Sequence, residues 1–133
     1  MTAESITIDG REYQVLVVYP SRLRSFTIVE GSNSGTSLSF RKIRDIGGTQ
    51  YSYSMQIKAK PGHQEDYDRL YEAISAPVAY HRVIMPHGQE TLEFDAAVYA
   101  GQDIDYGLSG EARKWSDLQL TFEPMEPQRR PGE

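Results

Sequence analysis

The sequence predicts a mainly β domain, either a β-sandwich or a partly closed antiparallel barrel, with one flanking α-helix. Three observations predict it. Residues 51–58 alternate strictly, with Tyr51, Tyr53, Met55 and Ile57 on one side and Ser52, Ser54, Gln56 and Lys58 on the other, the period-2 pattern of a half-buried strand. Two hairpin patterns flank the turn residues Asp9-Gly10 and Pro86-His87-Gly88-Gln89. Only Tyr67, Leu70, Tyr71 and Ile74 show convincing helical spacing, so one helix is expected to cover a face of the sheet system.

In chain order, Ser5 to Ile8 and Arg11 to Val18 read as the arms of a hairpin, because Asp-Gly supplies the positive φ angles of a type I′ turn. Leu23 to Glu30 reads as a third strand with Arg24, Phe26 and Ile28 on one face. Gly31 to Ser39 is too polar for core and reads as an exposed loop, with a short strand over Leu38 to Ile43. Gly47-Gly48 reads as a turn into the Tyr51 strand. Pro61-Gly62 ends that strand, and Glu65, Asp66 and Asp68 then open the helix, where its dipole favours negative charge. Pro77 stops it. Val78 to Met85 and Glu90 to Ala100 form the second hairpin, Gln102 to Gly110 is ambiguous, and Lys114 to Phe122 alternates as the closing strand. Residues 1–124 are read as a single domain and 125–133, with three of the chain's prolines close by, as a disordered C-terminal tail.

Composition narrows the class. Lys and Arg number 14 against 19 Asp and Glu, net −5, which argues against a general nucleic-acid binder. The charge is two-sided, with Arg22, Arg24, Arg41, Lys42 and Arg44 before the central strand and Glu65, Asp66, Asp68 and Glu72 after it. The absence of cysteine removes disulfides, thiolate metal sites and thiol catalysis. No apolar run is long enough to cross a bilayer as a helix, and residues 1–10 lack signal-peptide features, so no membrane insertion is expected. Nine tyrosines favour strands and contact surfaces.

No catalytic constellation emerges. His63, His81 and His87 lack metal-ligand spacing and read as surface or packing residues. Asp103 and Asp105 resemble a fragment of a calcium loop without its glycine and glutamate, and read as a polar turn. The glycines match no phosphate-binding pattern, so no cofactor and no small-molecule substrate are expected. Arg41, Lys42, Arg44 and Asp45, with the strand tyrosines Tyr51 and Tyr53, are the candidate assembly interface. Trp115 and Tyr106 are the candidate ligand-binding pair if the chain is instead a monomeric carbohydrate- or peptide-binding module.

Residues 24–38, RSFTIVEGSNSGTSL, followed by residues 44–53, RDIGGTQYSY, resemble a segment of small tail-associated proteins of phages and prophages of Gram-positive bacteria. The resemblance is to the tail-tube and distal-tail (baseplate) family and implies a non-enzymatic β-sandwich subunit with one flanking helix. It implies copies that form rings, a loop over Gly31 to Gly48 that reaches a neighbouring ring, and partners that are further copies and other tail proteins. It also implies a protein made in the bacterial host cytoplasm and located in the virion tail, with no catalytic residue. A usual tube protein is longer than these 133 residues, and a usual distal-tail protein adds a second domain to such a β-sandwich, so the resemblance leaves the tail position open.

Overall fold

The computed structural model describes the backbone of residues 2–133, with side chains from Ser5 onward. The expected hairpin forms from β1 (Thr2–Ile8) and β2 (Arg11–Val17), paired in register from Ile8↔Arg11 to Thr2↔Val17. Asp9 and Gly10 take the positive φ angles, 53° and 79°, that the turn demands. β3 (Leu23–Glu30), the short β4 (Gly35–Thr36) and β5 (Lys42–Ile43), and β6 (Ile46–Ala59) follow. After α1 (Gln64–Ile74) come β7 (His81–His87), β8 (Glu90–Ala97), β9 (Gly101–Ser109) and β10 (Ala112–Pro124).

Six strands close into an antiparallel barrel in the order β6, β2, β1, β7, β8, β10 and back to β6. The barrel is therefore closed, which decides between the two expected architectures. Closure follows from β6, which pairs through Ile57–Ala59 with β2 on one edge and through Tyr53–Ile57 with β10 on the other. Inward side chains alternate along every barrel strand, as period-2 patterning requires: Ile6 and Ile8, Val15 and Val17, Met55 and Ile57, Val83 and Met85, Phe94 and Ala96, Leu118, Leu120 and Phe122.

Where β6 ends, the helix takes over its place. The stripe Tyr67, Leu70 and Ile74 is buried against the barrel interior, while Gln14 N–H of β2 donates to Asp66 and Gln64 donates to the carbonyl of Trp115 in β10. The helix thus bridges the two strands that β6 no longer separates. Among the described residues it is the only α-helix, and no helix is long and apolar enough to cross a membrane.

Four of the described strands stand outside the barrel: β4 and β5, which pair with each other, and β3 and β9. β9, ambiguous in the sequence, pairs with β10 across a turn at Gly110, so Asp103 and Asp105 lie in a strand rather than a polar turn. β3 pairs with the first half of β6 from Leu23↔Ser54 to Glu30↔Ile46, making a two-stranded arm of about 25 Å beyond the barrel wall. Between β2 and β3 the chain bulges away from β6, and Ser21 Oγ fills the missing ladder position by accepting from Gln56 N–H at 3.1 Å.

Barrel closure between β1 and β7 is short, only Thr7↔Ile84 and Ile8↔Val83, and a side chain reinforces it. The Asp9 carboxylate accepts from Arg82 N–H at 2.8 Å and contacts the buried His81 Nδ1 at 2.7 Å. Burial pushes the Asp9 carboxyl up, but these hydrogen bonds outweigh it and hold the group below its ordinary 3.8. A carboxyl lowered in the folded state contributes stability that is present above its unfolded value and lost as pH falls through the folded one. Asp9→Asn, which preserves the turn, is therefore expected to lower the urea midpoint near neutral pH. It should also flatten the acid limb below about pH 4, measured by urea unfolding across pH.

Candidate assembly interface

The arm positions the basic residues singled out in the sequence. At its end Ser37 N–H donates to the Arg41 carbonyl and Phe40 N–H donates to the Ser37 carbonyl, closing a tight turn between β4 and β5. This turn presents Leu38 and Phe40 outward, with Phe40 89 % exposed and at φ 67°. A left-handed conformation costs a bulky side chain about 1–2 kcal/mol, so this turn carries strain without burial to offset it.

Arg41 and Lys42 are exposed at this tip. Arg44 lies lower and forms an ion pair with Glu30 at 3.0 Å, which holds Glu30 below its ordinary value. Asp45 anchors the tip to the arm, its N–H donating to Ser34 Oγ and its carbonyl accepting from Gly31 N–H. Its carboxylate sits so close to Gly31 that a Cβ there would collide with it.

Tyr51 and Tyr53 share a face of β6 but not an environment. Tyr53 is 1 % exposed, stacked on Phe94 with ring centroids 5.9 Å apart, so it is a barrel residue and presents no surface for assembly. Burial raises its phenol, and the hydroxyl is hydrogen-bonded to His87 Nδ1 at 2.7 Å, with Arg24 Nη1 3.4 Å from the same nitrogen. Tyr51 lies one step further out and half-buried, its ring against the edge of His87 at 4.6 Å. The root of the arm is therefore set by Arg24, Tyr51, Tyr53 and His87, of which the sequence singled out only the tyrosines.

The C-terminal segment completes the arm. Residues 125–133, expected to be disordered, bring Gln128 and Arg129 along the edge of β6 opposite β3. Gln128 exchanges side-chain hydrogen bonds with the Tyr51 backbone at 2.9 Å, and Thr49 N–H donates to the Arg129 carbonyl at 2.9 Å. Gly47-Gly48 consequently lies inside β6, not in a turn before it. Gly48 has φ 130°, and a Cβ would stand 2.4 Å from the Arg129 carbonyl oxygen, so the close backbone approach demands glycine.

Trp115 and Tyr106 are not brought together. Trp115 pairs with Asp105 across β9 and β10, and Tyr106, the next residue, points to the other face. There its hydroxyl donates to the buried Asp117, which also pairs with Lys58 at 3.1 Å. Trp115 instead lines a groove of about 590 Å³ between α1 and the β9–β10 hairpin, with Tyr67, Tyr71, Asp68, Glu72 and Asp103. The Tyr67 hydroxyl donates to Asp103 at 2.9 Å, and burial with that carboxylate raises its phenol strongly. The signal for the groove was present in the helix, where Asp68 and Glu72 stand beside Tyr71 at the border of the apolar stripe. The signal for the tip was the apolar pair Leu38 and Phe40 in an otherwise polar loop.

Gly48→Ala is expected to expel the C-terminal segment and cost more than about 1 kcal/mol. Hydrogen exchange should then accelerate at the Thr49 and Arg129 amides while the barrel amides of β1 and β7 stay protected.

No protein-family model matches this chain, and no curated protein matches it.

Proposed function

We propose that this chain is a non-enzymatic structural subunit of a phage or prophage tail, in the tube or baseplate, that self-associates into rings. The observation that carries this reading is the arm. Residues 24–53, the stretch that bears the resemblance to tail proteins, coincide with β3, the tip and the first half of β6, the part of the chain that leaves the barrel. Leu23, Phe26, Ile28, Leu38, Phe40 and Ile43 are all exposed along it. A two-stranded ribbon has little stability of its own in water, and a run of large apolar side chains on it marks a contact surface. Among the described residues no strand neighbours the outer edge of β3, the kind of edge that another chain can pair with.

A second reading has one observation in its favour. The half-exposed Trp115 beside a groove suits a carbohydrate- or peptide-binding module, and that reading expects saturable ligand binding by a monomer, abolished by Trp115→Ala.

Light scattering over a range of protein and salt concentrations, with negative-stain images of the same samples, separates the two. The tail reading expects rings or tubes that salt weakens. Arg41→Glu, Lys42→Glu and Arg44→Glu together are expected to weaken association by about tenfold or more with the melting temperature little changed. Rings that form undiminished in this variant would remove the basic tip from the interface.

A further inference from the structure

We infer that the arm tip of one copy seats in the aromatic groove of a second copy, with Phe40 against Trp115 and Tyr71 and Arg41 beside Asp68 and Glu72. The contact rests on the self-assembly reading and specifies how one copy meets the next.

Each half of this contact is incomplete in the single chain. The tip turn holds Phe40 at φ 67° and leaves it and Leu38 in water, an arrangement that gains nothing within the chain itself. Arg41 has no ion-pair partner among the described residues, whereas Arg44 is engaged by Glu30. The groove has the opposite character. It is lined by Tyr71, Trp115 and Tyr67, whose hydroxyl is held by Asp103, and by Asp68 and Glu72. The cation that lines it, Arg113, is tied to Asp105 at 2.8 Å. A volume of about 590 Å³ suits a phenyl ring with a guanidinium beside it, and the ring faces of Trp115 and Tyr71 attract both.

Fold geometry makes the contact intermolecular. The tip enters β6 at Ile46, and the groove lies past the other end of the strand, where Ser116 Oγ accepts from Ala59 N–H and Trp115 follows outward along β10. Fourteen residues of strand put about 45 Å between the two. Tip and groove are different patches, so their union is head-to-tail, the kind of contact that generates rings or filaments.

The test uses full-length chains. A tip variant, Phe40→Ser with Arg41→Glu, and a groove variant, Asp68→Ala with Glu72→Ala, change only exposed side chains, and unchanged thermal melts confirm folding. The wild type is expected to associate with rising concentration and to shift the emission of Trp115, the chain's sole tryptophan. Each variant alone is expected to associate at least about tenfold more weakly, and an equimolar mixture of the two to recover a 1:1 pair through the one intact tip and the one intact groove. Such pairs, together with a wild type that associates without forming rings or tubes in the images, would uphold this contact and overturn the ring reading. Undiminished association of the groove variant would overturn the contact and leave the assembly reading standing. A wild type that stays monomeric at all concentrations, with Trp115 emission constant, would overturn the contact. So would tip-dependent sedimentation with phosphatidylserine-containing vesicles that the groove variant shares in full, which would make the tip a membrane-surface finger.

Discussion

Backbone hydrogen bonding along both edges of β6 is the constraint on which the rest of the structure depends. A strand has two edges, and each non-proline residue has one donor and one acceptor to satisfy. Of the two edges, β10 takes one over Tyr53–Ile57 and β2 the other over Ile57–Ala59, and the barrel closes there. Over Ile46–Ser52 they are taken by β3 and, in part, by Gln128 and Arg129, and the sheet continues outward as an arm. One strand therefore belongs to two structures, a closed core and an open projection. Where it stops, the barrel would gape between β2 and β10, and α1 fills that space with Tyr67, Leu70 and Ile74.

The polar groups near the barrel wall act as fasteners at its weak seams. Asp9 is a turn residue by sequence, yet its carboxylate ties the first hairpin to β7 where the ladder is only two residues long. Asp117 stands at a bulge in β10, with φ 62°, where Lys58 and Tyr106 converge on it. Burial raises this carboxyl, but these partners outweigh burial and hold it below the ordinary range. In the first case a short ladder and in the second a register interruption is reinforced by a carboxylate that has hydrogen-bond partners.

Distribution of apolar surface separates core from contact. The barrel is filled by aliphatic and aromatic side chains with little exposure. The arm reverses the pattern. Phe26 is 68 % exposed although it shares a face with the buried Tyr53, because β6 has left the barrel by the point where Phe26 pairs with Tyr51. Apolar residues that lie on the correct face of a strand but beyond the core are the physical basis for reading this chain as a subunit.

Local chemistry in the sequence determined the Asp9-Gly10 hairpin, the Tyr67, Leu70 and Ile74 helix face, the second half of β6 and the alternation of β10. Each depends on spacing or turn preference within a few residues, and the mainly β fold with one helix follows from them. Tertiary structure decided the remainder. Period 2 cannot distinguish Tyr51 from Tyr53, because burial depends on where neighbouring strands end. Glycine reads as a turn at Gly47-Gly48, whereas a crossing chain from the C-terminus makes it a strand residue. β9 alternates Ile104, Tyr106 and Leu108, but the Asp103, Asp105 and Gly107 between them read equally as turn residues, and its apolar side chains face no core. Trp115 and Tyr106 fall on opposite faces of one hairpin, and Trp115 meets Asp68, Tyr71 and Glu72 only because the helix packs beside it. Sequence carries the preferences of segments, but which segments become neighbours is set by the single arrangement that satisfies the edges of β6 and closes the barrel.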